Sequence, residues 1–236
     1  MKTLTIDIET YSSIDLTRSG VYKYTESPDF RILLFGYAID DGGVQVVDIA
    51  SGENIPEAVL SALTDPLVTK WAFNANFERI CLSRYLRELY PEYFRSYSHD
   101  EAVSRYLDPL GWKCSMVLSA SLGLPLSLKA VGEALHLEEQ KMTEGTRLIR
   151  KFSVPGMNGR VLPKDSPEEW DLFKEYNKRD VEVEREIRKA LEPFPVSPDL
   201  WDEYHRDQAI NDRGILVDRN FVESAMAMGK RAQEEI

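Results

Sequence analysis

The chain has 236 residues, 43% hydrophobic and 29% charged, which is the composition of one globular domain with room for a small extension. No apolar run approaches the roughly 18 residues that a membrane-spanning helix needs. The 29 Lys and Arg residues against 40 Asp and Glu residues give a net charge of −11, which argues against a passive coat on phosphate backbones but leaves open an enzyme that reaches anionic substrates through metal ions.

The N-terminal half is predicted to contain the strands. Residues 2–9 alternate with a period of two, so that Asp7 and Glu9 share one face of a strand and Ile6 and Ile8 share the other. The further predicted elements in this half are a strand at 32–39 that forms a hairpin with 44–49, a helix at 56–64, a strand at 68–73 and a helix from Asn76.

The C-terminal half is predicted to be helical. The pattern between 100 and 151 is broken at Gly123 and Pro125, and a long helix covers 167–192. A proline-rich linker then leads to two helices at about 199–212 and 219–236, which are too short to bury a core of their own and must pack on the first domain or belong to something longer. Strands early and helices late predict an α/β fold with a mixed sheet flanked by helices.

Asp7 and Glu9 are unusual because two carboxylates two residues apart on a strand point the same way. They repel each other unless a cation lies between them. For an isolated pair of this kind, a solvated strand face is the simpler interpretation.

Asp180 and Glu78 are two further acids in informative positions. Asp180 lies with Tyr176 on the apolar stripe of the long helix, where a carboxylate needs a metal, an arginine or a hydrogen bond such as one from a tyrosine. Glu78 lies in the first turn of the helix that follows the 68–73 strand, where the helix dipole alone favours an acid. Taken together, the four acids predict a site for two Mg²⁺ or Mn²⁺ ions that catalyse displacement at a phosphate.

Three short segments resemble the exonuclease motifs of the DEDD 3′–5′ exonucleases: DIET (7–10), NANFE (74–78) and YNKRD (176–180). The spacing Tyr-x-x-x-Asp indicates the tyrosine subclass, since the histidine form would place a histidine where Glu175 stands. Three longer segments, 7–40, 127–152 and 204–218, resemble the N-terminal part of phage-type family A DNA polymerases.

This resemblance implies a ribonuclease H-like fold with a proofreading domain at 1–194, followed at 195–236 by a linker and the start of a polymerase domain. The polymerase motifs do not fit into the residues after Pro198, so the chain is expected to be a piece of a longer polymerase and to synthesise no DNA.

The resemblance also implies roles for individual residues. Asp7 would bind both metal ions, Glu9 and Asp180 would bind the ion that activates water, and Tyr176 would orient that water. Glu78 stands where the family usually has aspartate, and its longer side chain could still reach a water bound to the second ion.

The implied reaction is hydrolysis of the 3′-terminal phosphodiester of single-stranded or frayed DNA, which releases 5′-mononucleotides. The candidate nucleic-acid contacts are Thr10, Asn74, Phe77, Lys141, Arg147, Arg150 and Lys151. The basic residues among them could equally form a solvated helix face, and Phe77 could be a core residue.

The expected partner besides DNA is the missing polymerase domain, with no membrane. The expected location is the cytoplasm of a bacterium or a phage host, because the chain starts without a signal peptide and has too few cysteines for a disulfide framework. Two alternatives stay open: a 3′–5′ exoribonuclease of the ribonuclease D-like type, and a catalytically silent DNA-binding module.

Overall fold

A five-stranded mixed sheet lies at the centre of the computed structural model, which describes residues 1–137, 144–156 and 159–234. In chain order the strands are β1 (Thr3–Tyr11), β2 (Arg31–Ile39), β3 (Gln45–Val47), β4 (Thr69–Ala72) and β5 (Trp112–Cys114). Their spatial order is β3-β2-β1-β4-β5, with β2 antiparallel to β1 and β3, and β4 parallel to β1 and β5. The predicted hairpin and the mixed sheet are confirmed.

The helices are α1 (Leu16–Thr25, interrupted at Gly20), α2 (Glu57–Thr64), α3 (Ala75–Leu89), α4 (Ser115–Ser121), α5 (Leu128–Ala134), α6 (Gly145–Phe152), α7 (Pro167–Leu191), α8 (Pro198–Arg213) and α9 (Arg219–Glu234). The predictions of α2, α3, α7, α8 and α9 are confirmed. The prediction of a helical region from 100 to 151 is wrong at its start, which forms turns, and at β5. In β5, Trp112 and Cys114 are both buried, but a strand of three residues is too short to show periodicity in the sequence.

The two faces of the sheet carry different helices. Ile6 and Ile8 join a core cluster with residues of α2 and α3, while α7 crosses the opposite face, where Asn177 contacts Asp7. The predicted alternation of β1 is therefore confirmed, and its acidic face points at the longest helix. None of the helices in the described parts of the chain combines the length and the apolar character needed to cross a membrane.

Strand β2 contains one extra residue opposite the acidic end of β1. Glu9 pairs with Leu34 but Thr10 pairs with Ile32, so Leu33 has no partner across the ladder. As a result, the consecutive residues Leu33 and Leu34 both enter the core cluster beneath α7. A bulge of this kind bends a strand and changes the direction of its side chains.

Helix α8 is fixed to the sheet domain by a buried ion pair. The Asp212 carboxylate accepts hydrogen bonds from both terminal nitrogens of Arg79 at 2.8 Å, from Tyr22 Oη at 2.8 Å and from Tyr97 Oη at 2.6 Å. The Arg79 side chain is 1% exposed and that of Asp212 is 0% exposed. The expectation that the C-terminal helices lean on the first domain is confirmed for α8, whereas none of the described α9 residues is buried.

Candidate metal centre

Asp7, Glu9 and Asp180 come together between β1 and α7. One carboxylate oxygen from each lies within 4.8 Å of the other two, and Glu9 and Asp180 are buried. The interpretation of the β1 acids as a solvated strand face is therefore wrong for Glu9. Three converging carboxylates suit Mg²⁺ or Mn²⁺, because these hard cations prefer oxygen ligands and remove the repulsion between the acids.

Tyr176 lies beside these acids, one helical turn before Asp180, and its hydroxyl is hydrogen-bonded to the Asp180 carboxylate. The ring stacks on Phe173 with 6.1 Å between centroids, and a β-carbon on Gly145 at the start of α6 would overlap it. Burial, together with the negative charges of Glu9, Asp180 and Asp7, raises the pKa of Tyr176 far above its ordinary value. The hydroxyl therefore keeps its proton at neutral pH and donates a hydrogen bond to the Asp180 carboxylate.

Glu78 lies in the first turn of α3 and is 3% exposed. Burial, with a contribution from the charge of Asp7, raises the pKa of this carboxyl well above its ordinary value. Its Oε2 is buried without a hydrogen-bond partner among the described residues, although Glu78 lies outside the 4.8 Å cluster of Asp7, Glu9 and Asp180. A buried, incompletely bonded carboxyl is unlike an exposed acid that only compensates a helix dipole.

Two polar residues near the centre were missed by the sequence analysis. Asn177 donates to Asp7, and Glu184, which is 2% exposed, accepts a 2.9 Å hydrogen bond from Ser115. Burial raises the pKa of Glu184. A signal for both was available: Asn177 follows Phe173 by four residues and Glu184 follows Asp180 by four, which places them on the buried side of α7.

The predicted nucleic-acid contacts near the motifs differ in exposure. Thr10 is buried and its hydroxyl lies 2.8 Å from that of Tyr24, and Phe77 is half-buried against the same tyrosine ring. Asn74 is exposed at the start of α3 with a φ of 76°. Of the three, Asn74 is the residue with a side chain open to solvent.

The predicted basic contacts are largely paired. Arg147 and Lys151 of α6 both bind the Glu169 carboxylate of α7, while Arg150 is exposed and forms no ion pair with the described residues. Lys141 lies outside the described residues. The sequence at 141–151 predicts a positive patch, but Glu169 of the next helix neutralises part of its charge in the folded chain.

A curated phage protein has a similar sequence along nearly the whole chain. The DNA polymerase of Bacillus phage SP02 is 44% identical to the chain over 243 residues, which cover 99% of the chain and 34% of that polymerase. This chain is similar to part of a phage DNA polymerase. The homologous region spans about a third of the length of that relative, and no protein-family model matches the chain. The predicted resemblance to a phage polymerase is confirmed.

Solved structures with similar folds include two ribonucleases D. The matched region of the Trypanosoma brucei enzyme, solved in complex with RNA U12, covers 92% of this chain and 66% of that enzyme, with 15% identity and a TM-score of 0.51. The matched region of Escherichia coli RNase D, an exoribonuclease, covers 92% of this chain and 46% of that enzyme, with 11% identity and a TM-score of 0.49. The first of these likenesses concerns the fold alone, and with the observed strand order it confirms the predicted ribonuclease H-like architecture.

Proposed function

We propose that this polymerase homologue is a 3′–5′ exonuclease that hydrolyses the 3′-terminal phosphodiester of single-stranded or frayed DNA with two Mg²⁺ or Mn²⁺ ions. The observation that carries the proposal is the convergence of the Asp7, Glu9 and Asp180 oxygens within 4.8 Å, beside a tyrosine hydroxyl bonded to Asp180. Divalent ions held there would supply positive charge at the scissile phosphate and make water more acidic.

The residues of the chain then have distinct tasks. Asp7, Glu9 and Asp180 hold the ions, and Glu78 supports the second ion from the start of α3. Tyr176 keeps its proton and donates a hydrogen bond to the Asp180 carboxylate, so its hydroxyl oxygen is left to accept a hydrogen bond from the attacking water and orient it. Arg150 and Asn74, which are exposed, are the best placed of the predicted contacts to meet the DNA backbone.

The homology to a DNA polymerase favours DNA as the substrate and proofreading as the role, with the remaining two-thirds of such a polymerase as the partner. In this proposal residues 1–194 form the exonuclease domain and 195–236 lead into the polymerase domain. The two cysteines are both buried and free, which is compatible with action in a reducing bacterial cytoplasm.

The deciding experiment follows digestion of a 3′-labelled single-stranded DNA with and without Mn²⁺. We expect release of the labelled terminal nucleotide as a mononucleotide, and this release should stop with a chelator and in the variant Asp7→Ala. The variant Glu223→Ala, which removes an exposed acid of α9, is the matched control and should trim at the wild-type rate. Undiminished trimming by Asp7→Ala would refute the assignment.

Glu78 can be tested separately in the same assay. Glu78→Asp should retain or raise the rate if the carboxylate serves the metal centre, and Glu78→Ala should lower it. Equal rates for both variants and the wild type would restrict Glu78 to a local role in α3.

RNA is the second candidate substrate, because the fold is shared with the ribonucleases D. Matched DNA and RNA oligonucleotides of one sequence separate the two candidates. Faster trimming of RNA would reassign the substrate without affecting the metal-centre proposal.

A further inference from the structure

Asn177 is buried directly behind the metal centre, and its side chain is bonded twice to one residue. Its Nδ2 lies 2.6 Å from Asp7 Oδ2 and 3.1 Å from the Asp7 main-chain oxygen, and Asn177 is 0% exposed. Both partner atoms are acceptors, so the amide nitrogen, and not the amide oxygen, must face Asp7. The two N–H groups of one amide therefore tie the carboxylate of Asp7 to its own backbone.

A glycine in the neighbouring strand makes this approach possible. Gly36 pairs with Asp7 across the β1–β2 ladder, and a β-carbon on Gly36 would lie 2.6 Å from Asn177 Oδ1. The same β-carbon would lie 3.1 Å from Val181, one turn further along α7. The missing side chain in β2 thus leaves the space that the Asn177 amide and the Val181 side chain occupy.

The electrostatics of the centre explain why such a tie is needed. Asp7 is the least buried of the three clustered acids, and the charges of Glu9 and Asp180 favour rotamers that turn its carboxylate away. An amide donor opposes that rotation without adding a charge. Hydrogen bonds that orient a metal-binding carboxylate in this way typically change metal affinity or activity by about 10–100-fold.

We propose that Asn177 is a positioning residue, which holds the Asp7 carboxylate in the orientation that divalent metal ions require. Asn177 itself touches neither metal nor DNA. The inference rests on the proposed function, in that it assigns the ions to the cluster containing Asp7.

The test compares Asn177→Leu with Val181→Ala in the full chain. Leucine keeps the approximate shape of asparagine but has no donor, while Val181→Ala removes packing at the same glycine without a hydrogen bond to Asp7. Mn²⁺ binding is measured by calorimetry, DNA trimming is measured over a range of Mn²⁺ concentrations, and thermal unfolding monitors the fold.

We expect Asn177→Leu to bind Mn²⁺ about 10–100-fold more weakly and to regain much of its trimming rate at high Mn²⁺. Val181→Ala should keep wild-type Mn²⁺ affinity at a comparable loss of thermal stability. Gly36→Ala, which displaces the amide without removing it, should also weaken Mn²⁺ binding and serves if Asn177→Leu does not fold.

Wild-type Mn²⁺ affinity in Asn177→Leu, or an equal loss of affinity in Val181→Ala, would overturn the role of Asn177. A wild-type chain that binds Mn²⁺ but does not trim DNA would instead overturn the exonuclease proposal, and the affinity comparison would still decide the role of Asn177.

Discussion

Replacing Asp212 with alanine is expected to lower the free energy of unfolding by about 3–5 kcal/mol, because it leaves a buried guanidinium without its counter-ion. Asp212 is the acceptor in four hydrogen bonds of 2.8 Å or less, two of them from Arg79. Without it, Arg79 retains the Leu107 main-chain oxygen at 2.9 Å and weaker contacts to Asn76 at 3.3 Å and Gln208 at 3.4 Å. Since whole domains are stable by about 5–15 kcal/mol, this loss would be a large fraction of the total.

Urea unfolding followed by circular dichroism measures the effect. Asp212→Ala should lower the midpoint with an unchanged slope, whereas Asp202→Ala, an exposed acid of the same helix, should change stability by less than about 0.5 kcal/mol. The double variant Arg79→Met/Asp212→Leu should recover most of the loss, because it removes both buried charges. A loss for Asp212→Ala as small as that for Asp202→Ala would refute the reasoning.

The same pair bears on the boundary proposed at residue 194. A chain cut there retains Arg79 in α3 but loses Asp212, so we expect it to be at least as unstable as Asp212→Ala. Equal midpoints for the 1–194 chain and the full chain would contradict a structural role for α8.

Three further outcomes are expected. Gly145→Ala should displace the Tyr176 ring and slow DNA trimming by up to about 10²-fold at unchanged Mn²⁺ affinity. An unchanged trimming rate would show that catalysis does not depend on the position of this ring. Glu169→Gln should release positive charge on Arg147 and Lys151 and steepen the dependence of single-stranded DNA affinity on salt by about one counter-ion. An unchanged slope would remove both residues from the DNA contacts. Lys70 is 2% exposed, and burial lowers the pKa of its ammonium from 10.5 to about 8. Because the folded state binds this proton less tightly than the unfolded state, Lys70 makes the fold less stable below pH 8, and this effect fades as the pH rises towards 10. In unfolding experiments, Lys70→Met should therefore be more stable than the wild type by up to about 3 kcal/mol at pH 7, and this difference should shrink by pH 10. A stability difference that does not depend on pH would contradict the lowered pKa.

The acids of the centre were predictable because periodicity reports the direction of a side chain. Asp7 and Glu9 share a face at a period of two, and Asp180 falls on an apolar helical stripe, so a local pattern identified all three. Their meeting point required only that β1 and α7 pack together.

The remaining features depend on contacts between distant parts of the chain, which no local pattern encodes. Arg79 and Asp212 are separated by 133 positions, and each alone reads as an ordinary surface charge. Glu169 likewise neutralises Arg147 from another helix. Strand β5 was missed because its order comes from parallel pairing with β4, and three residues are too few to reveal alternation.

The unpaired residue Leu33 determines where β2 can tolerate a change in chain length. Side chains of a strand change faces with every single-residue shift, so deletion of a paired residue such as Phe35 would turn the side chains on one side of the deletion to the other face of β2. Deletion of the unpaired Leu33 would keep the faces and remove only the bulge. Insertions and deletions at the exposed interruption of α1 around Ser19 and Gly20 carry no such consequence, because the second half of α1 lies between this interruption and β2. Among related chains, length differences should therefore occur at that interruption or at the bulge, and be absent from the paired residues 34–39 of β2.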